Sequence, residues 1–428
     1  MAEFSASVYQ NEFLPDGGTD VNAIVTVTCS GAGSAGQSGA GDAGEIIIVD
    51  TSGSMGRTKL EAAKIAAAAA VDQILDGTYF AVVAGSHQAY LAFPVVRTGA
   101  GMVRMDAAAR NAAHQAIRQF RADGGTAMGT WLTLAGRLFD SVPMLVQRHA
   151  ILLTDGENHN ETPDQLSTAI AGAVGRFQCD CRGVGVDWQV AEVRRIAQAL
   201  LGTVDIIPDP GQMQQVFAEL MQQSMSRGVA EAQLRVWAPQ GAQVLFVRQV
   251  APTVEDLTAR RTPVNPLTGA YPTGSWGDES RDYHVSVRLA AKGIGQEQLA
   301  SRVQLVVGEQ VVAQGLVKAR WSDDDSLTTR INPEVAHYTG QTELADAIQQ
   351  GLAAKAAGDE ETATTRLGRA VQLAAATGNE EATSRLRKVV DIDNPDTGTV
   401  RLRRAVDRAD EMALDTASTK TTRVRAGS

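Results

Sequence analysis

The sequence predicts a multidomain chain: an α/β domain with a mostly parallel sheet, inserted in an antiparallel β-sandwich and followed by an α-helical region. Three observations predict it. From Glu45 to Arg227, wholly apolar runs alternate with helical stretches, the pattern of a parallel sheet covered on both faces. After Gly228, short alternating strands follow one another between Pro and Gly loops, as in a sandwich. An alternating strand, Val21 to Cys29, stands alone ahead of the parallel pattern, and a lone strand must pair with something.

At 428 residues the chain exceeds one ordinary core, so several domains are expected. A net charge of −10 disfavours nucleic acid and anionic membrane as general partners. Residues Met1 to Ser5 lack a basic start and an apolar core, so no secretory signal is expected. The most apolar stretch, Ile65 to Val71, is mostly alanine and too short to cross a bilayer. Three cysteines, Cys29, Cys179 and Cys181, make a poor disulfide framework and point to a reducing cytoplasm. Cys179 and Cys181 share a face if extended; small buried side chains are the simpler reading, a metal or redox pair the alternative.

Residues 1–44 comprise the lone strand and a Gly/Ala/Ser linker, Gly31 to Gly44, with almost nothing to bury. The strand pairs with the later sandwich, whose edges are open. In the α/β domain, 45–227, the strands are Ile46 to Val49, Tyr79 to Ala84, Ala150 to Leu153, Gly183 to Val186 and Val204 to Ile207. Leu60 to Leu75, Ala107 to Phe120, Gly129 to Phe139 and Met213 to Met225 are helices between them, with Thr58 and Glu61 spaced as a capping box. The sandwich, 228–321, contains Gln233 to Ala238, Val244 to Val250, Tyr283 to Leu289 and Arg302 to Val307. Ser322 to Ser326 is an acidic linker. The helical domain, 332–415, turns at Ala357-Gly358-Asp359 and Thr377-Gly378-Asn379, weakly similar to tetratricopeptide-like hairpins. Residues 416–428 are an extended tail.

The chemistry gathers in three segments. The buried strand Ile46 to Val49 runs into Asp50-Thr51-Ser52-Gly53-Ser54, which puts a carboxylate and two hydroxyls in one loop. Ligands of open α/β sheets bind outside the carboxyl ends of the strands, where this loop lies. Asp123-Gly124-Gly125-Thr126 precedes a helix, and Leu153-Thr154-Asp155-Gly156 ends another buried strand. Hydroxyls with few carboxylates are hard oxygen donors, suited to Mg²⁺ and less specifically to Mn²⁺ or Ca²⁺. Two carboxylates leave a divalent ion with attraction for an incoming anion.

These segments resemble the metal-ion-dependent adhesion site (MIDAS) of von Willebrand factor type A domains, whose fold is Rossmann-like; the likeness covers roughly Glu45 to Arg227. The resemblance implies Asp50, Ser52, Ser54, Thr126 and Asp155 as the metal ligands, with a partner's acidic side chain completing the shell. Without metal, the same oxygens would only hydrogen-bond the loops together. His159 lies just past the third segment and is read as an exposed loop histidine. Trp131, on an apolar helix face, is read as core.

A cytoplasmic protein-binding adaptor is the expected function. The alternatives are a partner of an AAA+ ATPase in remodelling or cofactor insertion, as other intracellular members of the family are, and a metal-dependent hydrolase. No nucleophile motif, phosphate loop with lysine or His-x-x-x-His pair favours catalysis, so no enzyme is expected. Thr-Thr-Arg followed by an aliphatic residue occurs at Thr328, Thr364 and Thr421. The Thr364 copy falls in a predicted helix. The other two fall in linker or tail, and resemble sites phosphorylated by bacterial Ser/Thr kinases and bound by forkhead-associated domains. The chain also resembles actinobacterial proteins of the family, some of them tied to such kinases. An ordinary polar linker is the alternative reading of both.

Overall fold

The computed structural model describes residues 2–35, 42–95 and 101–423. They form two compact units, one chiefly Gly31–Glu231, the other Glu3–Ser30, Ala232–Thr273 and the chain from Asp278 onward.

In the first unit five parallel strands lie in the order Val204–Ile207, Gln178–Val184, Leu145–Thr154, Asp42–Asp50 and Tyr79–Gly85. Ala89–Phe93 and the short Val103–Arg104 add antiparallel pairings to the last of these. Ile46 to Val49 are wholly buried, which explains their unbroken apolar run. On one face Ala63, Ala66, Ala67 and Ala70 of the helix Gly56–Gln73 share a core with Ile47, Val49, Val82 and Phe217. Their small side chains let the helix Met213–Met225 approach closely. The alanine-rich stretch is therefore core helix, and among the described residues no helix is long and apolar enough to cross a membrane. Trp131 is fully buried, and a Cβ on Gly85 would lie 2.5 Å from its indole.

Three local expectations fail here. The strand expected at Gly183 to Val186 runs from Gln178 to Val184 instead. Asp180 and Arg182 break its apolar pattern, yet both are buried and partnered, Asp180 by His149 and Arg182 by the carbonyls of Cys181 and Thr203. Thr58 and Glu61 form no capping box. The helix starts a turn earlier, at Gly56, and Glu61 pairs with Lys64 at 2.8 Å. A capping box does form at Thr162 and Gln165, opening the helix Pro163–Ala173. The expected linker at 31–44 is shorter than read, because the strand already begins at Asp42; residues 36–41 lie outside the described residues.

The second unit contains the sandwich. One sheet orders Glu3–Gln10, Asp20–Ser30, Glu279–Arg288, Gln243–Ala251 and Glu255–Asp256; the other orders Thr262–Asn265, Thr268–Trp276, Val229–Trp237, Glu297–Val307, Gln310–Trp321 and Phe13–Leu14. Asp20–Ser30 pairs antiparallel with Glu279–Arg288 from Asp20↔Arg288 to Cys29↔Glu279. Its inward residues Val21, Ala23, Val25 and Val27 are buried with Tyr283, Val285 and Val287. The chain thus leaves the sandwich after Ser30, builds the parallel-sheet domain, and returns: an insertion.

The same unit holds the helices Pro333–Ala356, Glu360–Ala376, Glu380–Val389 and Arg408–Ala417. Gly358 and Gly378 take φ of +80° and +63° at the two expected turns, and Asp359 and Asn379 cap the helices that follow. A hairpin, Val390–Asn394 with Thr399–Leu402, was not legible; Arg401–Asp393 and Arg403–Asp391 ion pairs cross it. The acidic linker contributes a helical turn, Asp325–Thr328, capped by Asp324.

The expected extended tail from Thr416 is also corrected. The last helix runs to Ala417, and Thr419 to Thr421 then follow the sandwich edge, Val254 N donating to Thr419 O and Thr421 N to Pro252 O.

Candidate metal centre

Asp50 ends its strand fully buried, with Ser52 N donating to Oδ1 at 2.8 Å and Thr154 Oγ1 donating to Oδ2 at 2.7 Å. Burial pushes its carboxyl up to about 6 against these hydrogen bonds, and the charge of Asp155 adds to the rise. Ser52 Oγ lies 2.9 Å from Ser54 Oγ, which donates to Asp155 Oδ1 at 2.7 Å. Hydroxyls and carboxylates from the first and third segments therefore form one continuous chain.

The second segment is sewn to the first by backbone: Gly53 N donates to Gly124 O at 2.8 Å, and Asp123 N to Thr51 O at 2.9 Å. Gly124 has φ of +75°, and a Cβ there would strike the His87 imidazole 2.2 Å away. A Cβ on Gly125 would overlap Asn160 Oδ1 at 1.7 Å. A side chain at either position would displace His87 or Asn160, and the positive φ of Gly124 favours glycine there. Asn160 clasps Thr126, Oδ1 accepting from its N–H at 3.1 Å and its own N–H donating to Thr126 O at 2.9 Å. Asn158 and Glu161 accept from Met128 N and Gly129 N, satisfying the first amides of the helix Met128–Asp140.

Gly156 closes the cradle. A Cβ there would lie 3.0 Å from Ser54 Oγ and 3.3 Å from Thr126 Oγ1, so all three segments meet at this point. Asp50, Ser52, Thr126 and Asp155 are buried, whereas Ser54 is exposed. Three hydroxyls and two carboxylates, without sulfur or imidazole, fit a hard divalent cation. Among the described residues no cluster of three or more His, Cys, Asp or Glu forms a metal site. The hydroxyl-rich cradle is of a different chemical class from such clusters.

Sequence reasoning missed Thr154, Lys59, Asn158 and Asn160. Lys59, in the second turn of the helix Gly56–Gln73, donates to Asp155 Oδ2 at 2.8 Å and to Asp187 Oδ2 at 3.3 Å. Burial lowers its affinity for the proton, but Asp155 and Asp187 hold it above the usual lysine range. Its position nine residues after Asp50, in the helix the loop feeds, was the available signal. His159 is 73% exposed and 3.2 Å from Glu157. Cys179 and Cys181 are buried free thiols 3.9 Å apart; their mutual hydrogen bond and burial raise the Cys179 thiol well above its ordinary value, which makes it inert.

The candidate phosphorylation sites lie elsewhere. Thr328 ends the helical turn half-buried, its carbonyl and that of Leu327 accepting from Asn11 Nδ2 at 3.4 and 3.0 Å, with Ile331 79% exposed beyond it. The flexible tail expected around Thr421 is instead anchored: Thr421 Oγ1 donates to Val250 O at 2.6 Å and to Pro252 O at 3.2 Å. Val424 lies outside the described residues.

Comparison with known proteins agrees with this fold. A von Willebrand factor type A domain model matches residues 45–206, and a model of the C-terminal domain of such proteins matches 372–418. A solved von Willebrand factor type A structure from Catenulispora acidiphila is 48% identical, covers 99% of this chain and 97% of its own, and superposes with a TM-score of 0.92. The ArnB paralog VWA2 from Sulfolobus acidocaldarius shares the fold over 98% of both chains, with a TM-score of 0.59 at 15% identity. An uncharacterised Synechocystis protein is 28% identical over 291 residues, which span 67% of this chain but only 63% of that relative's length.

Proposed function

The chain belongs to the von Willebrand factor type A family, and we propose that it is a metal-dependent protein-binding adaptor rather than an enzyme. Asp50, Ser52, Ser54, Thr126 and Asp155 hold one Mg²⁺, with Mn²⁺ or Ca²⁺ as substitutes, and an acidic side chain of a partner protein completes the shell. The observation that carries this reading is the convergence of Ser54, Thr126 and Asp155 on Gly156, with Ser54 open to solvent.

When bound, the ion supplies a Lewis-acidic position for a carboxylate oxygen. The chain's own residues do the rest. Ser52 N and Thr154 hold Asp50, Asn160 holds Thr126, and the linked loops hold the hydroxyls together. A hydrolytic use would want a free base beside the ion. The charged nitrogen in contact with the site, Lys59, is bound to two carboxylates instead. Three buried free thiols support a reducing cytoplasm as its compartment.

A second route to partners is capture of phosphorylated Thr328 by a forkhead-associated domain, favoured by exposed Ile331 three residues on. The main reading is tested by retention of proteins from the native host on the immobilised chain. Partners held in Mg²⁺, released by EDTA and lost with Asp50→Ala are expected; retention indifferent to both would overturn it.

A further inference from the structure

We propose that Lys59 is a built-in counter-cation of the metal centre, a positioning residue that holds one oxygen of Asp155 away from the ion and leaves the loaded site positively charged. This rests on the metal-binding reading above and deepens it. Asp155 has no exposed surface, and both its oxygens are committed, Oδ1 to Ser54 at 2.7 Å and Oδ2 to Lys59 at 2.8 Å. The lysine is 23% exposed and comes from the helix that the first metal loop itself begins, so it is fixed relative to the site.

The charges decide its consequence. Asp50 and Asp155 contribute two negative charges and Lys59 one positive, so a divalent ion brings the set to a net single positive charge. Without Lys59 the loaded set would be neutral. Asp187, the lysine's other partner, is 65% exposed, so solvent screens it and it offsets little. Lys59 therefore weakens the hold on the metal and strengthens the demand for an anionic ligand, the balance a site needs when its last ligand comes from a partner. A purely structural lysine would do the opposite: its loss would loosen Asp155 and weaken the metal.

The test is calorimetric titration of Mn²⁺ into the full chain, as wild type, Lys59→Met, Lys59→Gln and Lys59→Arg. The neutral variants are expected to bind Mn²⁺ about tenfold tighter, the order of one partly screened charge, and Lys59→Arg like wild type. Lys59→Gln keeps a hydrogen-bond donor for Asp155, so it remains informative if Lys59→Met fails to fold. The Mn²⁺-induced rise in melting temperature is expected to be larger in the neutral variants. Equal or weaker Mn²⁺ binding by them overturns the proposal. If wild type binds no Mn²⁺ but a neutral variant does, the role of Lys59 stands and the metal-dependent function of the native chain falls. If none binds, both fall.

Discussion

Thr154 Oγ1 donates to Asp50 Oδ2 across 2.7 Å, and neither residue has any exposed surface. The two come from neighbouring parallel strands, Asp42–Asp50 and Leu145–Thr154, so sheet register fixes their distance. Thr154 thus supports the first carboxylate. Replacing it with Val leaves a buried carboxyl short of a donor, which costs about 1–3 kcal/mol. Urea denaturation should show the loss, with the fold retained in far-ultraviolet circular dichroism.

Asp50→Ala is expected to abolish binding of Mn²⁺, one ion per wild-type chain, because it removes the carboxylate on which the first loop is built. Calorimetry is the measurement. Ser52→Ala and Thr126→Ala should each weaken binding less, since every hydroxyl is a neutral donor among several. Full Mn²⁺ affinity in Asp50→Ala would place the metal elsewhere.

The meeting of the three oxygen-bearing segments was legible because each carries its own spacing: Asp-x-Ser-x-Ser after an apolar strand, Gly-Gly-Thr before a helix, Thr-Asp-Gly after another strand. The insertion was legible too, because Val21 to Cys29 alternates so regularly that it demanded a partner. Lys59 and Asn160 were not, since their roles exist only once a helix or loop is folded against the site. The strand Gln178–Val184 was hidden by Asp180 and Arg182, whose burial depends on His149 from the neighbouring strand and on Thr203 from the segment leading into the next one. Tertiary partners, unlike periodicity, leave no local trace.

His149 supplies a pH dependence. It lies wholly buried between Glu45, 2.8 Å from Nδ1, and Asp180, 3.0 Å from Nε2. Burial pushes its pKa down, but the charge of Glu45 and hydrogen bonds to both carboxylates outweigh this and raise it from 6.5 to about 9. A raised cationic pKa means stabilisation that is complete below the unfolded value of 6.5 and lost as pH climbs through about 9. The shift corresponds to about 3 kcal/mol. The Asp180 carboxyl is held well below its ordinary value by His149 despite burial, so its contribution is instead lost in acid. Urea midpoints should therefore fall between pH 7 and 10. In His149→Leu that slope should vanish and stability should drop by about 3–5 kcal/mol, because two buried carboxylates lose the cation between them and keep only Thr203 and Ser224.

The final prediction concerns the anchored end of the chain. Thr421 spends its hydroxyl proton on the carbonyls of Val250 and Pro252, while Thr422 O lies 2.7 Å from His337 Nε2 and Arg423 approaches Asp282 at 3.5 Å. A phosphate or a glutamate at residue 421 has no proton to give those carbonyls and would set negative charge against them. Thr421→Glu should therefore free residues 419–423 from the sandwich edge, at a cost of about 1–3 kcal/mol. Thr421→Ser, which keeps the donor, should leave them in place. Hydrogen exchange of the amides of Val254 and Thr421, which donate to Thr419 O and Pro252 O, reads the difference directly. In the folded chain a kinase should accordingly label Thr328, half-buried on its partly exposed turn, before Thr421. Equal labelling of both by mass spectrometry, with unchanged exchange in Thr421→Glu, would show that the hydroxyl is not what holds this segment.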